Sequence, residues 1–396
     1  MIEYAGSQRA GRRDRDDGLA IVSVLRSLDW LLLAGVGGLV AVGLWAVSGV
    51  TRFAVVGNPS YYLDRQMIYV AVGVAALVVG TFIDPDVYRR YWKPIFAGMV
   101  LLIAFVFVVG HAARGSTRWI SLGAFTFQPS EFGKLAVVLA LAGFLADRER
   151  DGALGTTMRT LGLGLIPVLL VFAQPDLGTA LVYLAALTAM LFVGGTPWRQ
   201  LTALGTIAVL LAVGVLWAGP AVGVNFLKSY QQSRLTCFVH PSQCSSADTR
   251  YNLEQSIVAV GAGQVRGRGV NNATQTRLQF LPEHGTDFVF ASFSEQRGFV
   301  GASLLLGLYL LVLWRALRIV SIARDFYSAI VAGGIVVALL FQIFVNVGMT
   351  MGIAPITGIP LPFVSVGGSS MIANLAAMGV LLAVHARGRA ARSYRR

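Results

Sequence analysis

DFVFASFSEQRGFVGASLLLGLYLLVLW, residues 287–314, decides the fold. After Arg297 the run carries no charge, and it is longer than the roughly 20 residues a helix needs to cross a bilayer core. Its entrance is unlike its body. Glu283, His284, Asp287 and Glu295 crowd the mouth of the apolar stretch, and an ionised side chain near lipid costs on the order of 2.5–3.5 kcal/mol.

Runs of the same character recur outward in both directions, at about 28–50, 66–83, 94–111, 131–146, 161–174, 177–194, 200–219, 327–350 and 369–386. With 287–314 this makes ten, and only Gln174-Pro175-Asp176-Leu177-Gly178 separates the fifth from the sixth. The chain is 56% hydrophobic and 13% charged, where a soluble domain carries about 25% charged residues. The expected fold is an all-α polytopic membrane protein of ten transmembrane helices. A long extracytoplasmic loop, 220–286, joins helices seven and eight, and no soluble domain or internal repeat is visible. Residues 1–27 read as a polar cytoplasmic tail rather than a cleavable signal, because the apolar run that follows is too long and lacks a small-residue cleavage site. Residues 28–386 form the membrane domain, and 387–396 a basic tail.

Basic residues set the orientation. An even number of spans puts both termini on one side, and the short segments there hold 20 of the 32 Lys and Arg. The short loops opposite hold four, Arg52, Arg65, Arg114 and Arg118. By the positive-inside rule the termini are cytoplasmic. The net charge of +13 then decorates a face that meets anionic lipid, and is no sign of nucleic-acid binding. Cys237 and Cys244, the only cysteines, lie in the long outer loop as TCFVHPSQCS. They read as a disulfide closing a small loop or as two free thiols; with only His240 between them, a metal site is disfavoured.

This orientation places four irregular polar stretches outside: 115–134, 174–178, the 220–286 loop, and APITGIPLPFVSVGGSS at 354–370. The last reads either as a broken segment lining a cavity or as a proline-rich connection. Glu131 and Lys134, three apart, share a helix face as functional groups or as a helix-end ion pair. Asp176 and Asp287 can each serve a site or cap the span that follows. The stretch 251–269 reads as a short surface helix followed by a glycine-rich basic turn, where Arg266 and Arg268 can hold phosphate on backbone amides, although no nucleotide fingerprint is present. Two classes fit: an outer-leaflet enzyme using carboxylate base and cationic clamp, and a lipid transporter. The charges collect at one face rather than at mid-membrane in paired repeats, which favours the enzyme. Outside the cell its donor must arrive activated, and Arg118, Lys134, Arg266 and Arg268 suit a diphosphate leaving group.

RWISLGAFTFQPSEFGKL, QPDLGTAL, QQSRL, YNLEQSIVAVGAGQVRGRG, TQTRLQFLPEHGTDFVFA and PITGIPLPFVSVGGSS, in that order over about 28–386, resemble the SEDS family of polytopic peptidoglycan glycosyltransferases. The short termini and QPDLGTALV look more like the elongation member, RodA, than the division member, FtsW. The resemblance implies ten spans and polymerisation of lipid II, the undecaprenyl-diphosphate disaccharide pentapeptide. It also implies a class B penicillin-binding protein as partner. The departing diphosphate calls for a Mg²⁺ or Mn²⁺ helper, and Glu131 either ligates that ion or orients Lys134. The resemblance makes Asp287 the catalytic base, with Glu131 and Lys134 assisting. Arg118, Trp119, Gln128, Ser130, Asp176, Arg266, Arg268, His284, Glu295 and Ser369 become candidate substrate contacts. Two departures stand out: Gly285 replaces the family's usual His before Thr-Asp-Phe, and SEQRGF brings Gln296 and Arg297 where an acid and Leu are usual.

Overall fold

The computed structural model describes residues 27–113, 116–122, 125–148, 154–214, 234, 237–238 and 246–393. The expected tail at 1–26, the end of the 387–396 tail, Cys244 and most of the loop between 215 and 245 lie outside the described residues.

The chain runs through α1 (Trp30–Val50), α2 (Tyr61–Phe82), α3 (Pro85–Arg90) and α4 (Trp92–Val109). Strands β1 (His111–Ala113), β2 (Ser116–Leu122) and β3 (Phe125–Phe127) follow, then α5 (Pro129–Ala146), α6 (Leu154–Ala173), α7 (Leu177–Val193) and α8 (Trp198–Val213). After the long loop come α9 (Ala247–Ala262), α10 (Thr274–Arg277), α11 (Val289–Ile322), α12 (Phe326–Thr350) and α13 (Gly368–Ser393). Eight of these helices are long and apolar enough to cross a membrane: α1, α2, α4, α5, α6, α11, α12 and α13. The stretch expected at 177–194 forms α7 of 17 residues, and of the stretch expected at 200–219 the described residues up to 214 carry α8 of 16, with 215–219 outside them.

Burial sorts the helices. α5, α12 and α13 are mostly enclosed, whereas α2, α4 and α6 turn most of their apolar surface outward. With every flank apolar, helix contacts come from close packing rather than from a polar and an apolar face. α13 lies along α2, α12 against α7 and α5, and α11 against α1 and α12.

One end of the bundle is tied by charge. Asp29 caps α1 by accepting from Leu32 N at 3.0 Å, and it also accepts two hydrogen bonds of 2.7 and 3.0 Å on Oδ2 from Arg315 of α11. His385 of α13 stands 3.3 Å from the same carboxylate. Nearby, Arg387 reaches Asp84, and Arg324 reaches Asp86 at 2.7 Å. A buried charge is tolerated only with partners of this kind.

The opposite end is irregular. The stretch 115–134 was expected to be irregular; its described residues include β2 and β3, which pair with each other and, through β2, with β1 as an antiparallel sheet in the order β1-β2-β3, with Ile120 opposite Phe127. α11 is broken at Gly298, whose φ of 65° and ψ of −165° suit glycine alone. The glycine-rich turn after α9 fills the break. Arg268 N donates to Glu295 O at 2.9 Å and Gly269 N to Gln296 O at 3.0 Å, while Phe299 N and Val300 N donate to Gln264 O and Val265 O. A Cβ on Gly298 would collide with Gly267 N. Gly298→Ala is expected to lower the melting temperature of the detergent-purified protein, the backbone strain alone costing about 1–3 kcal/mol.

Candidate active site

The irregular end encloses a cavity of about 240 Å³. Six pieces of chain wall it: the first turns of α2, strands β2 and β3, the start of α5, the start of α7, the turn before α11, and the segment from 358 to the start of α13.

Asp287 reaches this cavity because it does not cap α11. Phe288 occupies the cap position with no side-chain bond, and the Asp287 carboxylate turns inward. Two side chains fix the turn. Asn346 Nδ2 donates to Asp287 O at 2.9 Å and to Ile359 O at 2.7 Å. Ser365 Oγ donates to Thr286 O at 2.6 Å and accepts from Leu361 N at 2.8 Å. Val366 N donates to Gly285 O, and Gln66 of α2 bonds both Ser365 O and Gly367 N. The 354–367 stretch is thus irregular backbone packed inside protein and lining a cavity, and its polar groups find partners there. Tyr309 of α11 donates to Pro362 O from below.

Across the cavity, Arg118 and Trp119 of β2 face Asp287's wall. Arg118 stands 3.3 Å from Asp176, which is almost wholly buried. Asp176 also caps α7 through Thr179 N at 3.1 Å and accepts from Gln128 Nε2 at 3.1 Å. It therefore caps the span as its position allowed, and holds Arg118 without itself lining the cavity. Gln128 bonds Ser130 and, through its backbone N, Ser369 Oγ at 2.9 Å, which joins β3, α5 and α13 at one point. Ser130 is enclosed, its carbonyl accepting from Tyr183.

Glu131 lines the cavity, and Lys134 lies behind it. The lysine ammonium donates to Glu131 Oε2 at 2.7 Å and to Gln342 Oε1 at 2.8 Å. Both acid and lysine line a second, water-sized cavity of about 30 Å³ between α5, α12 and α13.

Four expected contacts lie elsewhere. Arg266 and Arg268 are exposed, and Arg268 bonds Ala262 O and Thr274 Oγ1. Glu295 is fully buried and accepts from Gln275 N, Thr276 N and Thr276 Oγ1, so it caps α10. His284 faces Leu281 O through Nδ1 at 3.1 Å and does not line the cavity. Cys237 is buried and disulfide-bonded, and the sequence holds one other cysteine, Cys244. A Cβ at Gly285 would touch Thr51 Cγ2 at 3.0 Å, so the usual histidine would fit tightly there.

The cavity also contains residues not anticipated from sequence. Tyr62, Arg65 and Tyr69 of α2 line it, three and seven apart and hence on one face. That spacing at the mouth of an apolar run was the available signal. Gly358, with φ of 75°, lies where a Cβ would come 3.3 Å from Asp287 Oδ2 and 3.9 Å from Arg234 Nη1.

Among the described residues no cluster of three or more His, Cys, Asp or Glu is grouped to hold a metal. Mg²⁺ binds through one or two carboxylates together with substrate phosphates and retained waters. Asp287 and Glu131, both lining the cavity, meet that need.

A sequence model described as "Cell cycle protein" (FtsW/RodA/SpoVE) matches residues 26–390. The chain belongs to the SEDS family. This SEDS chain is 35% identical over 347 residues to the peptidoglycan glycosyltransferase MrdB of Escherichia coli strain K12, covering 88% of this chain and 92% of MrdB. It is 34% identical over 336 residues to a probable peptidoglycan glycosyltransferase FtsW of Geobacter sp. strain M18, covering 84% and 88%. Its fold matches a chain from a solved structure described as a peptidoglycan synthase complex coordinating polymerization and crosslinking. That match has a TM-score of 0.76 at 31% identity, covering 91% and 98%. Relatives and apolar helices together make this SEDS chain a multi-pass membrane protein.

Two outcomes follow from the site geometry. Gly358→Ala, which intrudes on the Asp287 carboxylate, is expected to lower turnover about 10²-fold in folded protein, read by comparing activity with the melting curve. Burial pushes the His284 imidazole below its ordinary 6.5, against weaker opposing pulls from the Leu281 carbonyl and Glu283. Just below 6.5 the unfolded chain binds a proton that the folded chain excludes, so stability rises with pH through that window and falls on acidification. The melting temperature should drop between about pH 7 and pH 5, and His284→Gln should flatten part of the slope.

Proposed function

We propose that this chain is a peptidoglycan glycosyltransferase that polymerises lipid II at the outer leaflet, in the manner of the elongation member of the family, with Asp287 as general base. The observation that carries the reading is the convergence of Asp287, Glu131, Arg118 and Trp119, from three separate sequence regions, on one cavity. Relatives named peptidoglycan glycosyltransferase MrdB and probable peptidoglycan glycosyltransferase FtsW support it.

Residue roles follow from the bond being made. An acceptor sugar hydroxyl attacks the anomeric carbon of a lipid-diphosphate donor, and inversion turns the α-linked donor into a β-linked glycan. Asp287 takes the hydroxyl proton as the new C–O bond forms, and the old bond to the diphosphate breaks with its electron pair leaving on phosphate oxygen. Arg118 meets the developing charge, its position fixed beforehand by Asp176, so no reorganisation is needed at the moment of reaction. Glu131 and Lys134 would orient one another beside the leaving group. Asp287 and Glu131 would hold Mg²⁺ or Mn²⁺, which supplies Lewis-acid stabilisation of diphosphate charge.

Cytoplasmic termini are part of this reading: the basic segments at the Asp29 end support it by the positive-inside rule, and the bonded Cys237 suits an oxidising space on the other side. A class B penicillin-binding protein is the expected partner, in keeping with the cross-linking named for the synthase-complex neighbour.

The test is polymerisation in vitro. Purified protein with its transpeptidase partner, lipid II and Mn²⁺ or Mg²⁺ should give long glycan on a gel. Asp287→Asn should give at least about 10²–10⁴-fold less. Product from the variant at the wild-type rate would remove the base assignment, and no product from either would move the reading to lipid transport.

A further inference from the structure

Of the Glu131–Lys134 pair only the acid lines the large cavity, so whatever fixes Lys134 fixes that acid from behind. The ammonium is buried and carries three N–H donors. One donates to Glu131 Oε2 at 2.7 Å and another to Gln342 Oε1 of α12 at 2.8 Å. In a tetrahedral group two occupied directions determine the third, so the ammonium has no rotation left.

Gln342 can offer its oxygen in one orientation only. Its Nε2 donates to Ala338 O, one turn back in α12, at 3.2 Å. A carbonyl only accepts and an ammonium only donates, so both neighbours force the same setting of the amide. The side chain is buried, and α12 is pressed against α5 two turns nearer its N-terminus, where a Cβ at Gly334 would come 2.8 Å from Val138 Cγ1. Four residues on from Gln342, and so on the same helix face, Asn346 holds Asp287 O and Ile359 O. One face of α12 thus carries the supports of both Glu131 and Asp287.

We propose that Gln342 is a positioning residue for glycan polymerisation, acting through Lys134 to hold the Glu131 carboxylate at the cavity wall. The proposal rests on the glycosyltransferase reading for its reaction. Without the glutamine oxygen a buried ammonium N–H is left unpaired, which is costly for a charged donor. A carboxylate accepts on both oxygens, so the freed donor turns to the second oxygen of Glu131 and draws the acid away from the cavity. Methionine and glutamate are close to glutamine in length, and they separate this role from packing. If Gln342 only fills space, methionine is the mild replacement and a buried carboxylate the harmful one. If its oxygen matters the order reverses, because Gln342→Glu still offers Lys134 an oxygen, charged or protonated, and Gln342→Met offers none.

The first arm is steady-state polymerisation by the detergent-purified full chain with its transpeptidase partner, below the melting temperature of each variant. Gln342→Met should lower kcat and kcat/KM together by about 10- to 100-fold at unchanged KM. Gln342→Glu should stay about tenfold more active than Gln342→Met. Wild-type rates in Gln342→Met, a raised KM with kcat retained, or Gln342→Glu less active than Gln342→Met each overturn the proposal. The second arm needs no catalysis and compares melting temperatures of Lys134→Met, Gln342→Met and the double variant. Gln342→Met should cost on the order of 2–4 °C with Lys134 present and almost nothing in the Lys134→Met background. Where Gln342→Met alone does not fold, adding Lys134→Met should restore folding. Additive losses overturn the proposal. If wild type makes no glycan, the enzyme reading fails while the melting cycle still decides whether Gln342 holds Lys134.

Discussion

Backbone N–H and C=O groups at membrane depth have no water to turn to, so every departure from helix must be answered from within the protein. The cavity end departs three times, and each departure is closed by a particular partner. The break at Gly298 is filled by the backbone of residues 264–269. The 354–367 stretch is stapled by Asn346, Ser365 and Gln66. The chain between α4 and α5 pairs with itself as a small sheet. These closures are what make room for a polar cavity in a bundle that is otherwise close-packed and apolar.

The same economy governs charge. Removing an ion from water costs several kcal/mol unless it is paired and hydrogen-bonded, and such pairs often add little net stability. Asp29 with Arg315 and His385 ties three helices at one end, where a joint between α1, α11 and α13 is its evident use. Asp176 with Arg118, and Glu131 with Lys134, instead border the cavity. Their use is preorganisation: the cation is already oriented before charge develops on a substrate. Asp176 contributes most by being wholly enclosed, since its cap to Thr179 and its bond to Gln128 leave it no freedom to follow Arg118 outward.

What sequence revealed divides along physical lines. Helices crossing a bilayer announce themselves by apolar length alone, and so eight of the expected spans were legible as such. Asp287, Glu131 and Arg118 were legible as candidate site residues because charged groups beside apolar runs are costly, Trp119, Gln128 and Ser369 only through the family resemblance, and all six line one cavity. The sheet was not legible, because residues 111–127 are short, glycine-interrupted strands that gain order from their pairing. Arg65 was not legible either. A single arginine at the mouth of an apolar run usually reaches back to water along its stem; only the packing of α2 on α13 turns this one inward. The Arg266–Arg268 turn misled for a related reason. Its glycines looked like a phosphate cradle, but the amides of Arg268 and Gly269 are spent on carbonyls of α11 and that of Gly267 on Gly263 O.

The acids that crowd the mouth of α11 then separate into distinct tasks. Glu283 accepts from the Thr286 hydroxyl at 2.9 Å and so shapes the turn. Glu295 spends both carboxylate oxygens on three donors at the start of α10, anchoring the long loop to the helix. Asp287 alone of the three faces the cavity. One family departure, Gly285, lies in the turn at Asp287 itself, where its carbonyl accepts from Val366 N. The other falls on the supporting side: Arg297 stacks over Trp45 of α1 at 3.8 Å, so its added charge meets an aromatic face rather than the proposed base, and Gln296 O accepts from Gly269 N of the glycine turn. Those contacts hold the broken helix in place and leave the turn at Asp287 to be fixed separately by Asn346 and Ser365. A helix interrupted just after its first two turns makes that separation possible, since the short leading piece can be oriented by the loop and the long trailing piece by the bundle.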